Sequence, residues 1–343
     1  MHNHLTTGPL LSHIFKAQRQ EKIQAKSMNR QILLGYIYAA AGAALFSTKA
    51  IFIKLAYIDK ADPGLMLALR MVTALPFFLA VAAYVIYRDK KAGKPLPGPK
   101  VWLATMAIGF VGFYLSALLD FEGLVYITAQ LERLVLFTYP VMIMVLGWLF
   151  FGGRITLMGC VGAAITYAGL LVVFMKSIPD GGSNTVLGTS LVLACALTYA
   201  LYQLLAKKVI GLIGSALFTG VALSSSAVAC VLHYIIANRT LDFSAPTHFY
   251  WMALGCGIVA TVLPSFLVNA SLSRVSAQSS SMIAAISPII TISLAVWILG
   301  EKFTLIDAAG SALVIAGIVL YAVTDQKPAA QIKQELAGEM EPA

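Results

Sequence analysis

Charge is scarce in this chain. Asp, Glu, Lys and Arg make up 11% of its 343 residues, against roughly 25% in a typical soluble domain. With 59% hydrophobic residues, a water-soluble globule could not hide its apolar surface. Cysteine is limited to Cys160, Cys195, Cys230 and Cys256, each in a different apolar stretch and none in a CxxC pair. These read as small packing residues, not as a disulfide framework. The histidines are as scattered: His2, His4 and His13 lie near the start, while His233 and His248 stand alone. No metal-ligand spacing results, and no metal or other cofactor is expected. No GxxxxGK[ST] loop is present to hold ATP phosphates. A polytopic membrane enzyme would need clustered His, Asp or Ser motifs at a loop–membrane boundary, and there are none, so no catalytic residue is assigned. A structural or sensory membrane protein remains an alternative, but the loops are too short to form a binding domain. The first 27 residues lack a long apolar core and a small-residue cleavage site, unlike a secretory signal. They read as a disordered tail, an upstream start before Met28, or a transit peptide.

What is abundant is the apolar block of about 20 residues, the length that crosses a hydrocarbon core about 30 Å thick. Ten such spans are expected, at 33–55, 64–87, 101–119, 126–150, 155–175, 186–206, 211–237, 249–272, 276–299 and 304–323. The third and fourth are the least sharply bounded, because Asp120, Glu122, Glu132 and Arg133 crowd the connection between them. Of the 24 Lys and Arg residues, Lys49, Lys54, Arg70 and Arg133 fall within spans. If the N-terminus is cytoplasmic, sixteen of the others lie on the cytoplasmic side, and only Lys60, Lys176, Arg239 and Lys302 lie outside. That positive-inside bias places both termini in the cytoplasm and requires an even number of spans. The formal charge of +9 then reflects topology and contact with anionic lipid, and no nucleic-acid partner is implied.

An offset of 148 residues aligns 127–174 with 275–322 without a gap. It pairs Gln130 with Gln278, Pro140 with Pro288, Gly152 with Gly300, Thr156 with Thr304, Gly162 with Gly310 and Gly169 with Gly317. Two copies of five spans each enter the membrane from opposite sides, because five is odd. Inverted repeats suit carriers that alternate access around a midplane site. The first copy, ITAQLERLVLFTYPVMIMVLGWLFFGGRITLMGCVGAAITYAGLLVVF, the second, VSAQSSSMIAAISPIITISLAVWILGEKFTLIDAAGSALVIAGIVLYA, and ALRMVTALPFFL resemble the EamA-type drug/metabolite transporter superfamily. The resemblance runs over nearly all of 33–323. It implies an all-α membrane protein of ten transmembrane helices in two inverted five-helix repeats, 33–175 and 186–323, flanked by cytoplasmic tails 1–32 and 324–343. It also implies a secondary transporter, with export expected, for a small organic solute such as an amino acid, a drug or another metabolite, in a bacterial inner membrane. The sequence departs from the family pattern at Gly153, where an acidic residue such as the second copy's Glu301 is usual.

Ionisable residues within spans are costly and commonly face a cavity or a partner. Glu132, Arg70 and Lys49 each fall six residues from the outer end of a span, roughly 9 Å deep by the helical rise. With Asp120 and Arg133 they place five charged groups in one copy. The second offers hydroxyls and amides instead: Gln278, Ser279, Ser280, Ser281, Asn269, Tyr199, Tyr202 and Gln203. The expected solute and ion pathway uses Glu132, Arg70, Lys49, Arg133, Gln130, Gln278, Tyr139 and Ser280. Glu132 would exchange a proton, and Arg70 or Lys49 would bind an anionic group. The competing reading is a fixed ion-pair network with basic groups snorkelling to the surface. Helical spacing separates Glu132, Thr128, Leu136 and Tyr139 from Arg133, Gln130, Phe137 and Pro140, and one stripe should line the cavity. Pro140 and Pro288 each remove a mid-membrane backbone hydrogen bond and are hinge candidates. Ala308, Ala312 and Ala316, with Gly162, Gly169, Gly310 and Gly317, are small enough for close helix packing or a homodimer seam.

Overall fold

The computed structural model describes residues 30–58, 62–152, 157–238 and 244–324, without the side chains of 177–183, 278, 282, 285 and 321–324. Residues 1–29 and 325–343 of the expected tails, and the loop holding Gly153 and Thr156, lie outside the described residues, whereas residues 30–32 and 324, expected in the tails, are helical. Every element among those described is helical. Eight helices are long and apolar enough to cross a membrane: α1 Arg30–Tyr57, α2 Pro63–Lys91, α3 Pro99–Tyr126, α4 Ala129–Phe151, α5 Leu157–Lys176, α6 Asn184–Ile213, α7 Ser215–Asn238 and α8 Thr247–Leu272. Two more are shorter apolar helices: α9, whose apolar part is Ser287–Leu299, and α10, Leu305–Thr324.

Local sequence sets the ends. Asp62 caps α2 by accepting from the Leu65 amide at 2.9 Å, with Pro63 at the first helical position, where its missing N–H costs nothing. Arg88, Lys90 and Lys91 fill the last turn, where cations complement the helix dipole. Gly152 and Gly300 close α4 and α9 at φ 67° and 66°, a left-handed conformation that glycine adopts without penalty. The third span, expected to stop at 119, instead continues through Asp120 and Glu122 to Tyr126. Asp120 is paired with Lys49, so its charge does not break the helix.

The 148-residue offset recurs in several helix boundaries. The α3 segment Pro99–Gly109 maps residue for residue onto the α8 segment Thr247–Gly257, and each is followed by a π-helical turn, Phe110–Leu115 and Ile258–Val262. The same offset carries Tyr139–Phe151 onto Ser287–Leu299. α5 and α6 are joined by continuous helical assignment over Leu157–Ile213. Ala163 packs on Val141 and Met144, while Tyr199 contacts Tyr139 at 5.2 Å. In a straight rod Ala163 and Tyr199 would be about 54 Å apart, so the chain must double back between the two arms.

α5 and α10 meet along glycine. A methyl on Gly169 would come within 2.6 Å of the Gly310 carbonyl oxygen, and Gly317 faces Gly162 and Thr166 in the same way. Lys176 and Asp307 close one end of this seam at 2.5 Å, and Asp307 also accepts from the Thr304 amide at 2.8 Å. Two of the three alanines do not join it: Ala312 and Ala316 are exposed, as are Cys160, Ala164 and Ala168 on α5, while Ala308 is half-buried. Gly310, Val314 and Gly317 define the buried face of α10, and positions 312 and 316 fall on the other side of the helix at about 100° per residue. Large apolar side chains such as Trp148, Phe150, Trp251, Trp297 and Leu305 are also exposed, as expected where lipid is the solvent.

Candidate solute cavity and its charged wall

A cavity of about 90 Å³ opens inside the bundle between α1, α2, α3, α4, α6, α8 and α9. Lys49, Arg70, Asp120 and Arg133 line its charged side, and Phe113, Phe137, Tyr139, Tyr199 and Gln203 line its aromatic and amide side. Ser116, Cys195, Ser280 and Ser287 add small polar groups. Breaks in the helices bring these residues together. α1 turns at Thr48, whose hydroxyl donates to the Leu45 carbonyl at 2.7 Å, and Lys49 begins the next helical segment. In α3 the π-helical turn carries Phe113 to the wall, and such bulges recur where a helix is shaped for a site.

α4 is interrupted at Phe137 and Thr138, between the helical pieces Ala129–Leu136 and Tyr139–Phe151. Neither expected stripe therefore lines the cavity alone: Arg133 and Phe137 come from one, Leu136 and Tyr139 from the other. The interruption resets the angular phase. It also changes the reading of the prolines. Pro140 and Pro288 sit in the first turn of the helix that restarts after a break, where no intrahelical partner awaits the missing N–H. The break precedes each proline instead of resulting from a bond lost in mid-helix.

The charged wall is unequally paired. Lys49 Nζ binds Asp120 Oδ2 at 2.5 Å and lies 3.8 Å from Glu132. Arg133 lies 3.9 Å from Glu132 and donates through Nη2 to the Phe46 carbonyl at 2.9 Å. Arg70 has no carboxylate partner among the described residues. Its guanidinium rests over the Phe121 ring at 4.7 Å, a cation–π contact, while Nε and Nη2 have no hydrogen-bond partner although Arg70 is only 4% exposed. Three cations and two anions leave one formal positive charge in the cluster.

Two expected pathway residues stand apart from the cavity wall. Glu132 is fully buried beside Lys49 and Arg133, with neither carboxylate oxygen hydrogen-bonded. It does not line the cavity, because its helix turns Arg133 there instead. Gln130 faces the connection after α9, donating to the Lys302 carbonyl at 3.4 Å. Beside it, Glu301 accepts from the Ala129 amide at 2.9 Å and the Gln130 amide at 3.2 Å, capping α4. Ser280 does line the cavity and accepts from Ser271 at 3.2 Å. The Gln278 side chain lies outside the described residues. Ser116, Phe113 and Cys195 were not singled out as pathway residues in the sequence, since one hydroxyl, ring or thiol in an apolar helix carries no directional signal.

A buried cavity with an unpaired cation, enclosed by helices that turn apolar surface outward, is the arrangement of a multi-pass membrane protein with an internal polar site. Comparison with known proteins specifies it further. The sequence profile of the EamA-like transporter family matches residues 33–175 and 186–323, and the chain belongs to that family. It is 29% identical over 309 residues to YcbK of Bacillus subtilis (strain 168), described as an uncharacterized transporter, covering 86% of this chain and 93% of that protein. A solved crystal structure shares the fold with a TM-score of 0.61 at 17% identity, covering 87% of this chain and 98% of that one.

Proposed function

We propose that this protein is a secondary transporter that exports small organic solutes carrying an anionic group, with Arg70 as the anchor for that group. The single observation behind this reading is Arg70: buried, lining the cavity and unpaired, while the other two cations of the wall are held by Asp120, Glu132 and a backbone carbonyl. An uncompensated buried charge is expensive, so a cavity that keeps one open is suited to receiving a counter-charge from its solute. A bidentate guanidinium also matches carboxylate geometry.

Ten spans in two inverted five-helix repeats, 33–175 and 186–323, with both termini in the cytoplasm and a bacterial inner membrane as the address, complete the reading. The recurrence of helix boundaries at the 148-residue offset and the charge count support it. The breaks before Pro140 and Pro288 are the proposed hinges. Glu132 is the proposed coupling group: a proton there cancels one of two negative charges facing Lys49, Arg133 and, further along α1, Lys54, and so alters the balance against Asp120. Gln130 acts through the α4 cap, and Lys49, Arg133, Tyr139 and Ser280 line the route.

The test is flux in proteoliposomes with a panel of labelled amino acids and organic acids. Arg70→Gln is expected to lower flux of carboxylate solutes at least tenfold at equal protein level, with Arg70→Lys partly active. Unchanged flux in Arg70→Gln would overturn the anchor. Glu132→Gln is expected to keep solute exchange and lose pH-driven accumulation; wild-type pH dependence would remove the coupling role.

A further inference from the structure

We infer that Gln203 is a specificity-determining residue, and that the solute is a small organic anion bearing a hydrogen-bond donor in addition to its anionic group. The inference rests on the Arg70 anchor proposed above and adds a second pole to it. Gln203 lies on α6 and lines the cavity. It is only 2% exposed, and its Oε1 has no hydrogen-bond partner. The rest of its side-chain amide is engaged, donating hydrogen bonds to the hydroxyls of Tyr139 and Tyr199, whose rings meet edge to face at 5.2 Å, so Oε1 alone is left open.

A buried carbonyl oxygen left without a donor costs free energy unless something in the cavity supplies one. Arg70 is the complementary case, with Nε and Nη2 unpaired. One cavity thus holds an orphan acceptor on α6 and orphan donors on α2. A solute with an anionic acceptor and an N–H or O–H donor satisfies both. A solute that lacks the donor leaves the Gln203 carbonyl desolvated and unpaired, which is the situation that makes a hydrogen-bonding site reject a deoxy analogue. The rings of Phe137, Tyr139 and Tyr199, also on the wall, favour a flat body between the poles, so ring compounds are suitable probes.

The experiment uses the full-length protein in lipid nanodiscs and equilibrium dialysis of three labelled compounds: 4-hydroxyphenylacetate, phenylacetate and 4-methylphenol. Wild type is expected to bind 4-hydroxyphenylacetate about tenfold more tightly than phenylacetate, the size of one well-made hydrogen bond. Gln203→Leu should erase that difference while leaving phenylacetate binding in place, which also shows that the variant folds. Gln203→Glu, which keeps an acceptor, should retain the preference. Arg70→Gln should weaken both carboxylates and leave 4-methylphenol unchanged. Equal wild-type affinities for the two acids, a preference that survives in Gln203→Leu, or no binding of 4-hydroxyphenylacetate at millimolar concentration would each overturn the Gln203 assignment. Carboxylate binding unaffected by Arg70→Gln would overturn the anchor instead.

Discussion

The two stretches related by the 148-residue offset share helix boundaries, Pro99–Gly109 with Thr247–Gly257 and Tyr139–Phe151 with Ser287–Leu299, and differ in chemistry. At the same offset, Asp120 corresponds to Val268, Glu132 to Ser280 and Arg133 to Ser281. In the other direction Glu301, which caps α4 in the first copy, corresponds to Gly153. On the second side, Ser276 accepts from the Ser279 amide at 3.0 Å, as Thr128 accepts from the Leu131 amide at 3.2 Å. The hydroxyl cap therefore recurs, while the carboxylate clasp is observed only on the first copy's short helix among the described residues. Under the proposed alternating access, switching between two related shapes would need similar backbones, whereas binding an anionic solute would need only one charged wall; duplicating that wall would bury a second set of ions at several kcal/mol each.

The comparison is broken most severely by giving the first copy the second copy's residue. Asp120→Val leaves Lys49 buried without its closest partner, and should cost about 3–5 kcal/mol. Much lower folded yield and a lower melting temperature in detergent are expected; wild-type stability would mean that Lys49 finds water or Glu132 instead.

Glu132→Ser and Arg133→Ser should each destabilise by about 1–3 kcal/mol, the loss from leaving a buried polar partner unsatisfied. The double variant should cost less than their sum, because the two groups answer one another at 3.9 Å. Strict additivity in a double-mutant cycle would show that the pair does not interact.

Glu301→Gly makes the second connection resemble the first. It removes the acceptor for two amides of α4, a loss of about 1–2 kcal/mol by analogy with other helix caps. A cysteine at position 130, reached by a membrane-impermeant thiol reagent in an otherwise cysteine-free background, should label faster in this variant. Equal labelling would reduce the clasp to a static contact.

The smallest effects belong to the prolines. Pro140→Ala and Pro288→Ala should each change stability by under about 1 kcal/mol, since both occupy first-turn positions. Turnover should fall more than protein level, and by a similar factor in the two variants. A loss confined to one of them would show that the copies do not move alike.

Much of this was legible in the residues themselves. Apolar length alone marks α1–α8, because a bilayer accepts only segments whose backbone groups are satisfied internally. The paired Gly152 and Gly300 mark two helix ends that the structure closes in the left-handed conformation. Lys49, Arg70, Asp120, Glu132 and Arg133 stand out as a charged set because ions are rare and costly at such depth. What the pattern misjudged follows from helix breaks and pairing. An uninterrupted 3.6-residue period puts Glu132 and Tyr139 on one stripe, but the turn at Phe137 and Thr138 separates them. Asp120 looks like the end of a span until Lys49 is seen against it.

Membrane residence, the repeat and the identity of the costly residues are properties of composition and periodicity, which need no knowledge of which helix touches which. Which cation is free, which carboxylate is hidden behind the wall and which glycines are in contact depend on approaches of a few ångströms between residues far apart in the chain. Arg70 and Lys49 are equivalent candidates in one dimension. Only the packed bundle sets Asp120 against one and leaves the other open to the cavity.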